Sequence, residues 1–171
     1  CDRRQRQMCI RDRKSILPDN CVDCSQLQEG GTLPNIDGYL EILDENGIAR
    51  EKITVQVKHL TYPEKNGKVF YDIPESVYAY AKIHKGELVF FIACDYASRK
   101  FYWRNIDTAA IEEFKNKSDR IRTKARYYFK DNEKCGEKNV DATIDHWRQL
   151  YKQKMESIKD DKYLSLIHIS E

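Results

Sequence analysis

Three side chains stand out for the chemistry that their types and spacing allow: Asp37, Gln56 and Lys58. Gln56 and Lys58 sit two apart in the run Ile53-Thr54-Val55-Gln56-Val57-Lys58-His59-Leu60, whose β-branched residues predict a strand. Side chains alternate along a strand, so these two share a face roughly 7 Å apart while Val55, Val57 and His59 point the other way. Long polar groups in a strand suited to burial need partners, because each one left unpaired costs several kcal/mol. Asp37, at the head of the preceding strand, is a natural partner. An acid and an ammonium around a small cleft equip a site for metal-assisted phosphodiester hydrolysis. The acid holds Mg²⁺, which polarises the phosphate and lowers the pKa of bound water, and the lysine orients that water or offsets developing charge. On spacing alone the plainer alternative is ahead: a solvated strand face, with Gln56 and Lys58 outward and Asp37 merely starting a hairpin.

The elements that would position these residues follow from local pattern. A short strand is expected near Cys21 to Leu27, and a second over Asp37 to Leu43 is followed by a turn at Asn46-Gly47. After the 53–60 strand come a strand over Val69 to Ile73 and a helix from Pro74-Glu75 to about Ile83. Glu87 to Asp95 (ELVFFIACD) is the most apolar run and reads as a central buried strand, with Phe101-Tyr102-Trp103 as its neighbour after a turn near Ser98. A short helix over Thr108 to Lys115 and a strand over Ile121 to Phe129 precede a terminal helix from Val140 to about Ile158, capped by Asn139. The order predicts a mixed α/β or α+β domain.

The chain has 171 residues, 30 Lys+Arg, 28 Asp+Glu, 4 His and 6 Cys. At 34% charged and 40% hydrophobic it has the composition of a globular domain that buries a real core. No apolar run approaches the roughly 20 residues of a membrane span, and the first residues lack the apolar stretch of a signal peptide. No membrane partner is therefore expected, and the setting reads as cytoplasmic. Both ends read as foreign to the fold. Arg3 to Arg13 (RRQRQMCIRDR) matches a translated transposon-based sequencing adaptor, and Leu164 to Glu171 (LSLIHISE) matches its opposite end. With 1–13 and 164–171 set aside, 25 basic and 25 acidic groups remain, and the Arg-rich start no longer argues for nucleic acid. The single domain expected over 14–163 is then a truncated piece, with further domains and a homodimer left open.

The stretches PNIDGYLEI and ITVQVKHL resemble the PD-(D/E)xK nuclease-like superfamily, and more narrowly its QxK branch of Mrr-like restriction endonucleases. The continuation VFYDIP, ELVFFIACD and KFYWRNI is similar to the bacterial domain-of-unknown-function family 4365, so the likeness covers about residues 19–106. It implies a restriction-endonuclease-like mixed central sheet flanked by helices. It further implies a nuclease acting on DNA with Mg²⁺ or Mn²⁺, in bacterial genome maintenance or defence. By position, Asp37 resembles the metal-binding acid, Gln56 takes the place of a second acid and offers a carbonyl, and Lys58 resembles the catalytic lysine. Gln56 supplies no charge, so metal affinity should fall short of a two-acid site. The helix such domains carry before the first strand is also missing. The alternative is a catalytically inactive nuclease fold kept as a DNA- or protein-binding module.

Other features carry less. Glu41 shares a face with Asp37, yet four strand residues span roughly 13 Å, too far for both to hold one ion without a bulge. Cys21 and Cys24 form a CxxC, but no second CxxC or HxxxH pair completes a zinc set, so ordinary reduced thiols are expected. Arg120, Arg122, Lys124 and Arg126 would line one face of the 121–129 strand, either tracking a phosphate backbone or protecting an edge strand by charge. Tyr127, Tyr128 and Phe129 beside them are read as packing under the terminal helix.

Overall fold

The computed structural model describes residues 17–27, 36–60, 67–95, 97–116 and 123–168, with side chains in the last helix up to Asp161. The strands are β1 (Val22–Asp23), β2 (Gly38–Leu43), β3 (Ala49–His59), β4 (Phe70–Pro74), β5 (Leu88–Asp95), β6 (Lys100–Asn105), β7 (Lys124–Tyr128) and β8 (Lys134–Cys135). The helices are α1 (Glu75–Ile83), α2 (Thr108–Asn116) and α3 (Val140–His168). The expected mixed α+β architecture is the one observed. Six strands form one sheet in the order β1-β2-β3-β5-β6-β8, and β4 pairs with β7 in a separate two-stranded sheet. Only β3 and β5 run parallel; the remaining neighbours are antiparallel.

The alternation within β3 and β5 divides the molecule into two layers. Val55 and Val57 face the layer of Phe90, Ile92, Phe101 and Trp103, which α3 covers with Ile144 and Trp147. Trp147 is fully buried, with ring centroids 5.5 Å from Phe90 and 5.7 Å from Trp103. The opposite face carries Val89, Phe91, Ala93 and Tyr102 under α1, α2 and the β4–β7 ribbon. Tyr71 of β4 meets Phe91 at 4.9 Å, and so fixes the ribbon over the sheet. Gln56 pairs with Phe91 and Lys58 with Ala93, so the two polar residues of β3 belong to this second face.

Several ends differ from expectation for identifiable reasons. α3 runs ten residues beyond Ile158, and neither Gly nor Pro interrupts it between Val140 and His168. Asn139 does precede α3 and its carbonyl accepts from Thr143, but its side chain serves the loop before it. Its Oδ1 accepts the Gly136 N–H at 2.9 Å and its Nδ2 donates to the Lys134 carbonyl at 2.6 Å. That clamp holds β8 against β6. No helix among the described residues is long and apolar enough to cross a membrane.

Candidate functional site

Asp37 and Gln56 meet inside the protein, 7% and 1% exposed. The N–H of Asp37 donates to the Val55 carbonyl at 3.0 Å, and Gly38 then pairs with Val55 as β2 begins. One oxygen of the Asp37 carboxylate, Oδ2, accepts both the Gln56 side-chain amide and the Val57 N–H, the latter at 2.7 Å. The acid therefore bridges the head of β2 to the middle of β3.

Gly38 makes this possible. Its φ of +133° lies where side chains are rarely tolerated, and a Cβ there would stand 2.3 Å from the Gln26 carbonyl oxygen. The segment carrying Gln26 and Leu27 lies directly on this glycine, so the Asp-Gly pair is a close-approach device that aims the carboxylate inward.

The Gln56 amide is only half used. Its nitrogen donates to Asp37 and, at 3.4 Å, to the Val57 carbonyl, whereas Oε1 is buried with no hydrogen-bond partner among the described residues. The indole N–H groups of Trp103 and Trp147 are likewise without an acceptor. Those two rings are edge-on to each other at 84°, in a setting where an N–H can lie against an aromatic face. Lys58, half-buried, lies two residues on along the same face of β3, as its spacing predicts.

Glu41 is placed elsewhere. It pairs with Lys52 toward the start of β3, and the Lys52 ammonium stands 3.9 Å from the Tyr39 ring. Asp95, at the same end of the sheet as Lys58, was not singled out from sequence; its oxygens accept from Ala97 and Ser98 and cap the turn into β6. Among the described residues no group of three His, Cys, Asp or Glu side chains comes together to hold a metal ion. Cys21 is half-buried and Cys24, Cys94 and Cys135 are buried, all as free thiols. Burial pushes the Cys135 thiol up to about 11, against a hydrogen bond with Thr143 that lowers it.

The basic stripe fares differently. Arg120 and Arg122 lie outside the described residues. Lys124 and Arg126 do share the exposed face of β7, with Ala125 and Tyr127 inward. Arg126, however, is committed to the neighbouring strand: it forks onto Asp72 at 2.8 and 3.0 Å and lies 4.4 Å from the Phe70 ring. Its hydrogen bond holds the Asp72 carboxyl below the usual carboxylate range.

Scans against models of known protein families, against curated proteins and against solved structures each return no match.

Proposed function

We propose that the chain is a metal-dependent nuclease domain of the PD-(D/E)xK type, QxK variant, acting on DNA, with Asp37, Gln56 and Lys58 as its site. The observation that carries the reading is the buried Asp37–Gln56 contact with an idle amide oxygen, on the face that also carries Lys58. A buried acceptor left empty costs about 1–3 kcal/mol, which favours a partner beyond the described residues, and an ion is one such partner. A carboxylate and an amide carbonyl are hard oxygen donors of the kind Mg²⁺ or Mn²⁺ takes, so the residues fit such an ion, although one acid supplies little charge. When bound, the ion supplies polarisation of the phosphate and a more acidic water.

The protein's own share is positional. Asp37 is held by the Val57 N–H and by its own N–H on the Val55 carbonyl, so its carboxylate does not swing. Gln56 donates its amide nitrogen to Asp37, which leaves Oε1 as the oxygen it could offer to an ion. Lys58 adds a positive charge two residues on along the same face of β3, to orient a water or offset charge building on the phosphate. The mixed sheet flanked by helices agrees with the restriction-endonuclease-like architecture that the QxK resemblance implies.

A second reading has its own observation. With a single carboxylate and no cluster of three metal-ligating side chains among the described residues, the fold would serve as a DNA- or protein-binding module without cleavage. A cleavage assay on linear and supercoiled DNA separates the two. Cutting in Mg²⁺ or Mn²⁺, absent in EDTA and reduced at least about a hundredfold in Asp37→Ala and in Lys58→Ala, is the expected result. No cutting by folded protein, or cutting indifferent to both changes, leaves the binding module.

A further inference from the structure

The parallel β3–β5 register brings one end of the sheet together: His59 pairs with Cys94, Cys94 with Phe101, and Phe101 with Cys135. Asp37, Gln56 and Lys58 lie at that end on β2 and β3. Moving across the sheet, the same end carries Arg99 and Lys100 at the start of β6, Lys134 in β8 and Lys138 in the loop entering α3. These four basic groups surround a shallow basin lined also by Asp131 and Glu137, with Asp95 opposite Lys100 in the sheet. Lys100, Lys134 and Lys138 enter no ion pair among the described residues, and Arg99 reaches Glu137 only at 3.8 Å with both side chains solvated. The chain as a whole has a net charge of just +2, so this concentration is local.

The basin lies two to three strand spacings from β3, roughly 10–15 Å. That distance corresponds to about three or four base steps at 3.4 Å each. We infer that this basin binds the sugar-phosphate backbone of a DNA duplex whose neighbouring phosphates run along the end of the sheet that carries Asp37, Gln56 and Lys58. The inference rests on the nuclease reading and names the contact surface that reading needs. It also moves the backbone contact away from β7, where Asp72 neutralises Arg126. Arg99 has a left-handed backbone, φ 52°, in the turn that Asp95 caps, which places its side chain at the basin's rim.

The test measures binding apart from cleavage. Anisotropy of a fluorescein-labelled DNA duplex is followed in EDTA across a salt series for the full chain, a Lys134→Gln/Lys138→Gln variant, and a Lys82→Gln/Lys85→Gln control. The control removes the same charge at the opposite end of the sheet, beside Glu87 and Asp107. The basin variant is expected to bind at least about tenfold more weakly and to lose about two units of salt slope, while the control stays within about twofold. Equal weakening in both variants, with unchanged thermal unfolding, overturns the basin and leaves the nuclease reading to its cleavage assay. Binding that is lost in the basin variant but kept in Asp37→Ala, with no cutting by wild type when Mg²⁺ is supplied, keeps the basin and removes the nuclease. Wild-type protein that binds no duplex overturns the basin outright.

Discussion

Gln56 and Arg104 lie in one row across the sheet, with Phe91 between them, and the protein treats the two polar side chains in opposite ways. Arg104 is 7% exposed and fully engaged. Its guanidinium donates to Glu113 at 2.7 Å and to the Tyr78 hydroxyl at 3.4 Å, and lies 3.5 Å from the Tyr127 ring centroid. The Tyr127 hydroxyl in turn donates to Glu133 at 2.6 Å, so the network extends from α2 to the segment before β8. Gln56, more deeply buried, has a donor satisfied and an acceptor left idle. At Arg104 a buried charged group is given an acid, a hydroxyl and an aromatic face. At Gln56 the set is incomplete among the described residues, and the proposed function draws on that difference.

The comparison breaks most visibly at Arg104. Replacing it with Met should lower stability by about 2–3 kcal/mol in urea unfolding, below the full cost of opening a buried ion pair because Glu113 is partly solvated. Activity per folded molecule should be unchanged. A next, smaller effect comes from Gln56→Glu, which swaps the amide donor for a second carboxylate beside Asp37. In EDTA this variant should lose about 1–3 kcal/mol, and added Mg²⁺ should raise its melting temperature far more than that of wild type. Gln56→Leu removes a hydrogen bond and an idle acceptor together, so its stability should stay within about 1 kcal/mol of wild type while cleavage disappears. A fall in stability as large as that of Arg104→Met would place Gln56 among the architectural groups.

The smallest effect is expected at Asp72. Its hydrogen bond with Arg126 lowers the folded-state pKa, so the stabilisation is present above the ordinary carboxylate value of about 4 and is lost as pH falls through the lowered value. The pair is well exposed, with side chains 44% and 42% accessible, and contributes less than about 1 kcal/mol. Asp72→Asn should therefore cost a fraction of a kcal/mol at neutral pH in thermal unfolding, and nothing once the carboxyl is protonated in both folded and unfolded chains.

Much of the architecture was legible because its signals are local. The alternation in 53–60, the apolar run 87–95 and the helical spacing of Ile144, Trp147 and Leu150 each declare one element without reference to the rest. The Asp37–Gln56 contact was legible for a related reason: a buried amide two residues from a lysine asks for a carboxylate, and the hairpin brings the nearest one. What stayed hidden depends on distant partners. β8 is only two residues long and has no period of its own; pairing with β6 and the Asn139 side chain define it. The basic stripe on β7 read as open because Asp72, 54 residues away, is invisible until β4 and β7 pair. Gly38 read as part of the 37–43 strand, and nothing in that local pattern showed the Gln26 carbonyl that excludes any larger residue there.

That last contact has a consequence for how mutational data on this chain should be interpreted. Position 38 touches no reacting atom and has no side chain, yet even alanine there would push the Gln26 strap off β2 and swing Asp37 out of line. In a screen scored only by activity, the most intolerant column beside Asp37 would be a glycine, and it would be mistaken for part of the chemistry. Scored by abundance as well, the two columns would separate under the proposed function: Gly38 variants would be depleted as protein, and Asp37→Asn variants would accumulate without cleavage.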